Sequence, residues 1–238
     1  MVVPDPRQTP ASLVVIDGPA GAGKTTVARR VAARLGYTLL DTGAIYRALA
    51  LHAERAGVTW EDESQLAELA AALPLRFVPA SSDSPQRVLL DGDDVTAAIR
   101  TSHISDGASR VSVHGRVRTA LLNLQRRLAS ASVPGCVAEG RDMGTVVFPS
   151  ARHKFFLTAD EPTRAARRHH ELVDREGAEA PSLAEVTAEM TRRDQRDTRR
   201  AVAPLVRADD AVLVDSSAHD ADAVVELIVA SIASAARA

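Results

Sequence analysis

The residues Gly18, Pro19, Ala20, Gly21, Ala22, Gly23, Lys24 and Thr25 satisfy the pattern G-x-x-x-x-G-K-[ST], with a second hydroxyl following at Thr26. Glycines at these spacings let backbone N–H groups curl around a phosphate that no side chain crowds, and the lysine reaches its outer oxygens. Thr25 or Thr26 can set a hydroxyl near Mg²⁺, and free amides at a helix start add positive potential for the anion. A plain Gly-rich turn before a helix is the alternative. The flanks argue against it: Leu13-Val14-Val15-Ile16 reads as a buried strand, and Val27, Val31 and Leu35 form an apolar stripe after the loop, with Arg29, Arg30 and Arg34 turned elsewhere.

A phosphate loop does not say what is done to the phosphate, and the remaining polar clusters are rich in arginine. Arg47 and Arg141 follow expected strand ends, in company with Asp41 and Asp142. A planar guanidinium fork suits a second phosphate, and transfer between two anions requires such a clamp because it depends on positioning and charge neutralisation. The run from Arg192 to Arg200 reads as a charged helix face, a nucleic-acid patch or a mobile lid, and the interleaved Asp194 and Asp197 weigh against nucleic acid. His169 and His170, being adjacent, do not share a helix face and read as solvated. Cys136 lies in an apolar run and reads as core.

These groups need elements to hold them. Tyr37-Thr38-Leu39-Leu40 reads as a second strand ending at Asp41-Thr42-Gly43, with a helix beginning near Ala44. Strand and helix alternation predicts a parallel sheet with helices on both faces and a ligand site at the carboxyl ends of the strands. Thr59-Trp60-Glu61-Asp62 reads as a capping box for a helix on Leu66, Leu69, Ala70 and Leu73. Leu75-Arg76-Phe77-Val78, a polar turn, Arg87-Val88-Leu89-Leu90 and Asp91-Gly92 read as antiparallel strands inserted into the α/β pattern. A helix from Gly115 carries Val117, Ala120, Leu121, Leu124 and Leu128. Cys136-Val137-Ala138 and Lys154-Phe155-Phe156-Leu157 read as further core strands. Asp160 with Pro162, and Ser182 with Glu185, start two helices. Ala211-Val212-Leu213-Val214-Asp215 is the last strand, and a helix on Val224, Leu227, Ile228 and Ile232 ends the pattern. The domain expectation is a tail over 1–11, a core over 12–73 and 111–238 with a lid near 160–200, and an insertion over 74–110.

The net charge of −2 over 238 residues gives no basic field for nucleic acid or a membrane surface, so the expected partner is a small anion met by local arginines. A single cysteine forms no internal disulfide and fits a reducing cytoplasm, and the seven histidines show no zinc-like spacing with it. The first eleven residues lack signal-peptide character, and no apolar run approaches the roughly twenty residues of a transmembrane helix.

Four blocks together, Gly18 through Thr26, Leu40-Asp41-Thr42-Gly43-Ala44-Ile45-Tyr46-Arg47, Gly140-Arg141-Asp142-Met143-Gly144-Thr145-Val146-Val147-Phe148-Pro149 and Arg200-Ala201-Val202-Ala203-Pro204-Leu205, resemble the bacterial cytidylate kinases. The resemblance runs from about Leu13 into the final helix. It implies an α/β P-loop kinase fold, with an inserted antiparallel monophosphate-binding subdomain and a helical lid. The implied reaction is ATP-dependent phosphorylation of CMP and dCMP with Mg²⁺, by a cytoplasmic monomer in pyrimidine nucleotide metabolism. By motif position, Lys24, Arg141 and Arg193 take the catalytic roles. Thr42, Arg47 and Arg141 hold the acceptor phosphate beside Tyr46; Ser109, Arg118 and Asp142 read the cytosine edge. Arg193, Asp197 and Arg200 meet the sugar and the lid side, while Thr25 and Asp41 serve the metal. A P-loop kinase for UMP or a non-nucleotide alcohol, or a nucleotide-dependent switch, are the rival readings. The guanine-reading N-K-x-D segment expected of many switches is absent from the sequence.

Overall fold

The computed structural model describes residues 12–81 and 84–235. The expected tail over 1–11 and the tip of the turn between the first two antiparallel strands therefore lie outside the described residues. At the centre is β1 (Leu13–Asp17), buried at all five positions. It lies between β6 (Cys136–Gly140) and β7 (His153–Thr158), and β2 (Thr38–Asp41) and β8 (Val212–Asp215) close the order β2-β6-β1-β7-β8. Every pairing in this sheet is parallel. A strand covered on both faces needs a continuous apolar run rather than alternation, which is what Leu13-Val14-Val15-Ile16 provides.

Helices cover both faces. On one, α1 (Lys24–Leu35) and α8 (Ala221–Ala235) bury Val27, Val31, Val224, Val225 and Ile228 against Val14, Ile16 and Phe155. On the other, α2 (Thr42–Arg55), α3 (Glu63–Ala71), α4 (Ser102–Val111) and α5 (Gly115–Ser130) build a larger core around Ile45, Leu49, Leu66, Ile104, Val117 and Leu121. Cys136 belongs to this core, and burial pushes its thiol up to about 12. A third, small cluster joins α6 (Glu161–Glu176) to α7 (Leu183–Arg199) through Ala165, Leu172, Val186 and Met190, and it includes Ala20 of the glycine loop.

Caps fix where the elements begin. Asp160 accepts from Thr163 N with Pro162 in the first turn of α6, and Ser182 with Glu185 forms a capping box at α7, both as the sequence indicates. α3 differs: its N-cap is Asp62, whose Oδ1 accepts from Gln65 N at 3.0 Å, rather than Thr59. Trp60 packs instead between α2 and α4, donating to Ala50 O of α2 at 3.1 Å and lying against Gly107 of α4. Leu227 also departs from expectation. It is 46% exposed, because α8 rests on α1 through Val224, Val225 and Ile228 and nothing among the described residues covers its far side.

A separate antiparallel sheet is formed by β3 (Leu75–Val78), β4 (Arg87–Leu90) and β5 (Asp93–Asp94). Asp91 and Gly92, with φ of 51° and 88°, make the tight turn between β4 and β5. Val88 and Leu90 face the core that holds α2, so this sheet is anchored against that core. No helix of the described residues is long and apolar enough to cross a membrane.

Candidate active site

A cleft of about 630 Å³ opens along the carboxyl ends of the parallel strands. The phosphate loop forms one wall. Gly18 has φ of 151°, and a Cβ there would lie 1.9 Å from Leu157 O, so only glycine lets the chain leave β1 beside β7. Gly23, at φ 86°, turns the chain into α1 with no side-chain cap, which leaves the first amides of that helix free for an anion. Lys24 lies back over the loop, its Nζ 2.6 Å from Pro19 O. Burial, with the Arg141 and Arg193 guanidiniums nearby, holds its ammonium well below the ordinary lysine value, against the opposing pull of Glu139 and Asp197. A bound polyphosphate would reverse that balance.

The loop is gripped from outside by α6 and α7. Arg164 Nη1 donates to Ala20 O at 2.9 Å and to Asp194 Oδ2 at 2.5 Å, while Asp194 Oδ1 accepts from Ala20 N at 3.3 Å. Further along α6, Arg167 donates to Ser216 Oγ and Ser216 O at 2.9 and 2.7 Å. The tips of these helices also reach α4 and the turn before it. Arg196 Nη2 lies 2.8 Å from Asp106 Oδ1, Arg175 Nη1 donates to Arg100 O at 2.5 Å, and Ser102 Oγ lies 3.3 Å from Glu176 Oε1.

The opposite wall carries the second set of charges. β2 runs straight into α2 with no intervening loop, so Asp41 becomes the helix cap and Thr42 its first residue. Asp41 Oδ1 accepts from Ala44 N at 2.9 Å and Oδ2 from Arg47 Nη2 at 2.7 Å. Thr42 Oγ1 donates to Glu139 O at 2.6 Å. Arg141 follows β6 and donates through Nε to Asp197 Oδ2 at 3.0 Å. Burial alone would raise the Asp197 carboxyl, but the guanidiniums of Arg141, Arg193 and Arg200 outweigh it and hold it below the usual carboxylate range. Beyond lies Asp142, whose Oδ2 accepts from Arg118 Nη2 at 2.5 Å. Its Oδ1 stands 3.7 Å from Arg200 Nη2, too far for a hydrogen bond.

The structure thus gathers Thr42, Tyr46, Arg47, Ser109, Arg118, Arg141, Asp142, Arg193, Asp197 and Arg200 on one cavity, facing Ala20 through Thr26, with Asp41 at its edge. Gly18 and Pro19 lie behind the loop and do not line it. Ser109 Oγ and the Nε atoms of Arg47 and Arg193 are buried without a partner in the protein, the condition of polar groups that await a ligand.

Residues that sequence reasoning gave no role also belong here. Glu139 is 4% exposed, and its Oε1 lacks a partner. Burial and the neighbouring Asp41 raise its carboxyl to about 7, opposed by Lys24 and by a hydrogen bond with Thr25. The signal for it was its place at the end of the strand next to β1. Of the two metal residues that the resemblance implies, Thr25 and Asp41, the second has both oxygens committed, to Ala44 N and to Arg47. Glu139 is the carboxylate beside Thr25 and Lys24 with an oxygen to spare. Arg164 and Asp194 were legible only as charged helix faces. His170 is exposed and pairs with Asp174 on its own helix.

A family model described as cytidylate kinase matches residues 14–234 of this chain. The cytidylate kinase of Pseudomonas aeruginosa (strain LESB58) is 50% identical over 217 residues, spanning 91% of this chain and 93% of that one. That of Shewanella sp. (strain MR-4) is 48% identical with the same coverage, and that of Pseudomonas fluorescens (strain Pf0-1) is 48% identical over 223 residues, or 94% and 96%. Among solved structures, an uncharacterized protein from Eubacterium ventriosum ATCC 27560 aligns with a TM-score of 0.51 at 13% identity, covering 94% of this chain and 99% of that one, a likeness of fold.

Proposed function

The chain belongs to the cytidylate kinase family, and from that premise we propose that it transfers the terminal phosphoryl group of ATP to CMP or dCMP, giving ADP and CDP or dCDP. The observation that carries this reading is the two-walled cleft: a phosphate loop with Lys24 on one side, and opposite it an arginine clamp that ends in the buried Arg118–Asp142 pair.

The amides from Gly21 to Thr25 would cradle the donor phosphates, and Lys24 would neutralise the group in flight. Arg47 and Arg141 would hold the acceptor phosphate in line with it, with Arg193 entering from α7. No side-chain nucleophile is needed, since positioning and charge neutralisation supply the catalysis. Magnesium ions in kinases take one or two protein oxygens and complete their shell with phosphate and water, and they offset charge on the transferring group. Thr25, exposed on the cleft, and the spare oxygen of Glu139 beside it fit that requirement. Asp142 Oδ1 would accept from the cytosine amino group; uracil presents a carbonyl oxygen there, acceptor against acceptor. Arg193, Asp197 and Arg200 would meet the sugar.

In this reading residues 74–110 form the monophosphate-binding insertion and 160–200 the lid. The same reading makes it a cytoplasmic enzyme that works as a monomer. ADP release with a panel of CMP, dCMP, UMP, AMP and small alcohols tests the reading. CMP and dCMP should dominate, and a leading rate with any other acceptor would overturn it.

A further inference from the structure

A helix that begins with Asp at its N-cap normally has that carboxylate folded back onto its own first amides. Asp142 occupies this place at the single π turn Met143–Val147, with Val146 N and Val147 N both donating to Asp142 O, yet its side chain caps nothing. One of the amides it would cap, Gly144 N, is taken by another residue, together with Met143 N before it. Asp17, the last residue of β1, accepts from Met143 N through Oδ1 at 2.9 Å and from Gly144 N through Oδ2 at 2.7 Å. Its carboxylate is 5% exposed and has no part in the transfer chemistry described above.

We infer that Asp17 is a positioning residue that caps the Met143–Val147 turn in place of Asp142, and so releases the Asp142 carboxylate toward Arg118, Arg200 and the acceptor base. The inference rests on the proposed role of Asp142 in reading cytosine. Three observations converge on it. Asp17 pairs with Gly140 in the sheet, so its strand and the strand leading to Asp142 are in fixed register. Met143 N and Gly144 N, donors at the start of a turn and without an intrahelical acceptor, are satisfied across 126 and 127 residues of chain. Gly144 is also closely enclosed, a Cβ there lying 3.3 Å from Lys154 Cδ and 3.4 Å from Asp17 Oδ2, so the amide that Asp17 holds has little room to move. Because Asp17 is followed at once by Gly18, the same residue ties the base-reading turn to the root of the phosphate loop.

Asp17→Asn keeps the size of the side chain but offers one acceptor and places an NH₂ group against a backbone N–H. Asp142 then gains a reason to turn back onto its own helix. The expected result is a rise of about tenfold in KM for CMP and a comparable fall in the CMP-to-UMP preference, with KM for ATP unchanged. In an Asp142→Ala background the same substitution should leave the preference where Asp142→Ala alone puts it, since no carboxylate remains to be released. A residue that merely stabilised the fold would lower the melting temperature and kcat for both acceptors alike, and that outcome overturns the inference. Additive losses of preference in the double variant also overturn it. Should Asp17→Asn not fold, residue-resolved hydrogen exchange on the wild-type protein decides: protected Met143 and Gly144 amides before any nucleotide is added support the clamp, and open ones reject it. Failure of the wild-type protein to phosphorylate CMP would reject the proposed function itself, which separates the two results.

Discussion

Arg118 Nη2 lies 2.5 Å from Asp142 Oδ2, with side chains only 7% and 5% exposed, and the Arg118 guanidinium stands over the Tyr46 ring at 5.4 Å. The pair fixes the orientation of the carboxylate and leaves Oδ1 without a hydrogen bond. Asp142→Ala should lower kcat/KM for CMP by about a hundredfold and that for UMP far less, because a site built around a distinguishing hydrogen bond loses most when the bond is removed. Steady-state kinetics with both acceptors checks this. Equal losses would assign Asp142 to orienting Arg118 and Arg200 alone.

Lys24 combines a catalytic charge with an unfavourable one. Its ammonium is buried close to Arg141 and Arg193 before any phosphate arrives. Lys24→Met should therefore reduce kcat by about a thousandfold while leaving the melting temperature of the ligand-free protein unchanged or higher. Calorimetry and a coupled assay on the same preparation test both halves. Near-normal turnover in a folded variant would remove the phosphate-loop mechanism.

Arg47 gives one nitrogen to Asp41 and keeps its Nε unpartnered beside the cleft. Lysine would preserve the charge and lose the fork, so Arg47→Lys should raise KM for CMP about tenfold or more and leave KM for ATP alone. An unchanged KM for CMP would return Arg47 to a purely structural role at the start of α2.

Burial raises the Asp17 carboxyl from 3.8 to about 6 and outweighs the bonds from Gly144 and Met143; Asp142 adds to the rise and Lys24 opposes it. The folded state thus keeps this proton after the unfolded chain has released it. Stability from this group is full below the unfolded value and is lost as pH rises through about 6. Between pH 5 and 7 the stability of the ligand-free protein relative to Asp17→Asn should fall by about 1 kcal/mol. Denaturant titrations of the two proteins at both pH values measure it, and a flat or rising difference contradicts the assignment.

Much of the scaffold was legible because its signals are local. Leu13 through Ile16 announce a strand buried on both faces, Gly18 to Thr25 announce the loop, and Asp160 and Ser182 announce their helices. Helical periodicity shows which face of a helix is apolar but not how much of that face a neighbour will cover, and so Leu227 was misread as core. The spacing Thr59 to Asp62 reads as a capping box, whereas α3 is capped by Asp62 and Trp60 packs between α2 and α4. The partners of the site were the least legible part. Asp17 meets Met143, and Arg164 meets Ala20, only because parallel strands bring distant turns to one sheet edge, and no spacing in the chain encodes such meetings. Asp41 illustrates the same limit: an acidic residue at a strand end reads alike whether it serves a metal, a helix cap or an arginine.

The contacts that join α6 and α7 to α4 bear on how long products stay bound. Arg196 and Asp106 are 29% and 38% exposed, and the other links are one backbone carbonyl and one hydroxyl at 3.3 Å. A solvated ion pair of this kind is worth about 0.2–1 kcal/mol, so these links add little to holding the two arms together. In the proposed reading, grip on the nucleotides would reside in the buried arginines of the floor, and the rim would set only the frequency with which the cleft opens. Substitutions at Asp106 or Arg196 should therefore shorten the residence time of products, measured by stopped-flow release, and leave the CMP-to-UMP preference unchanged.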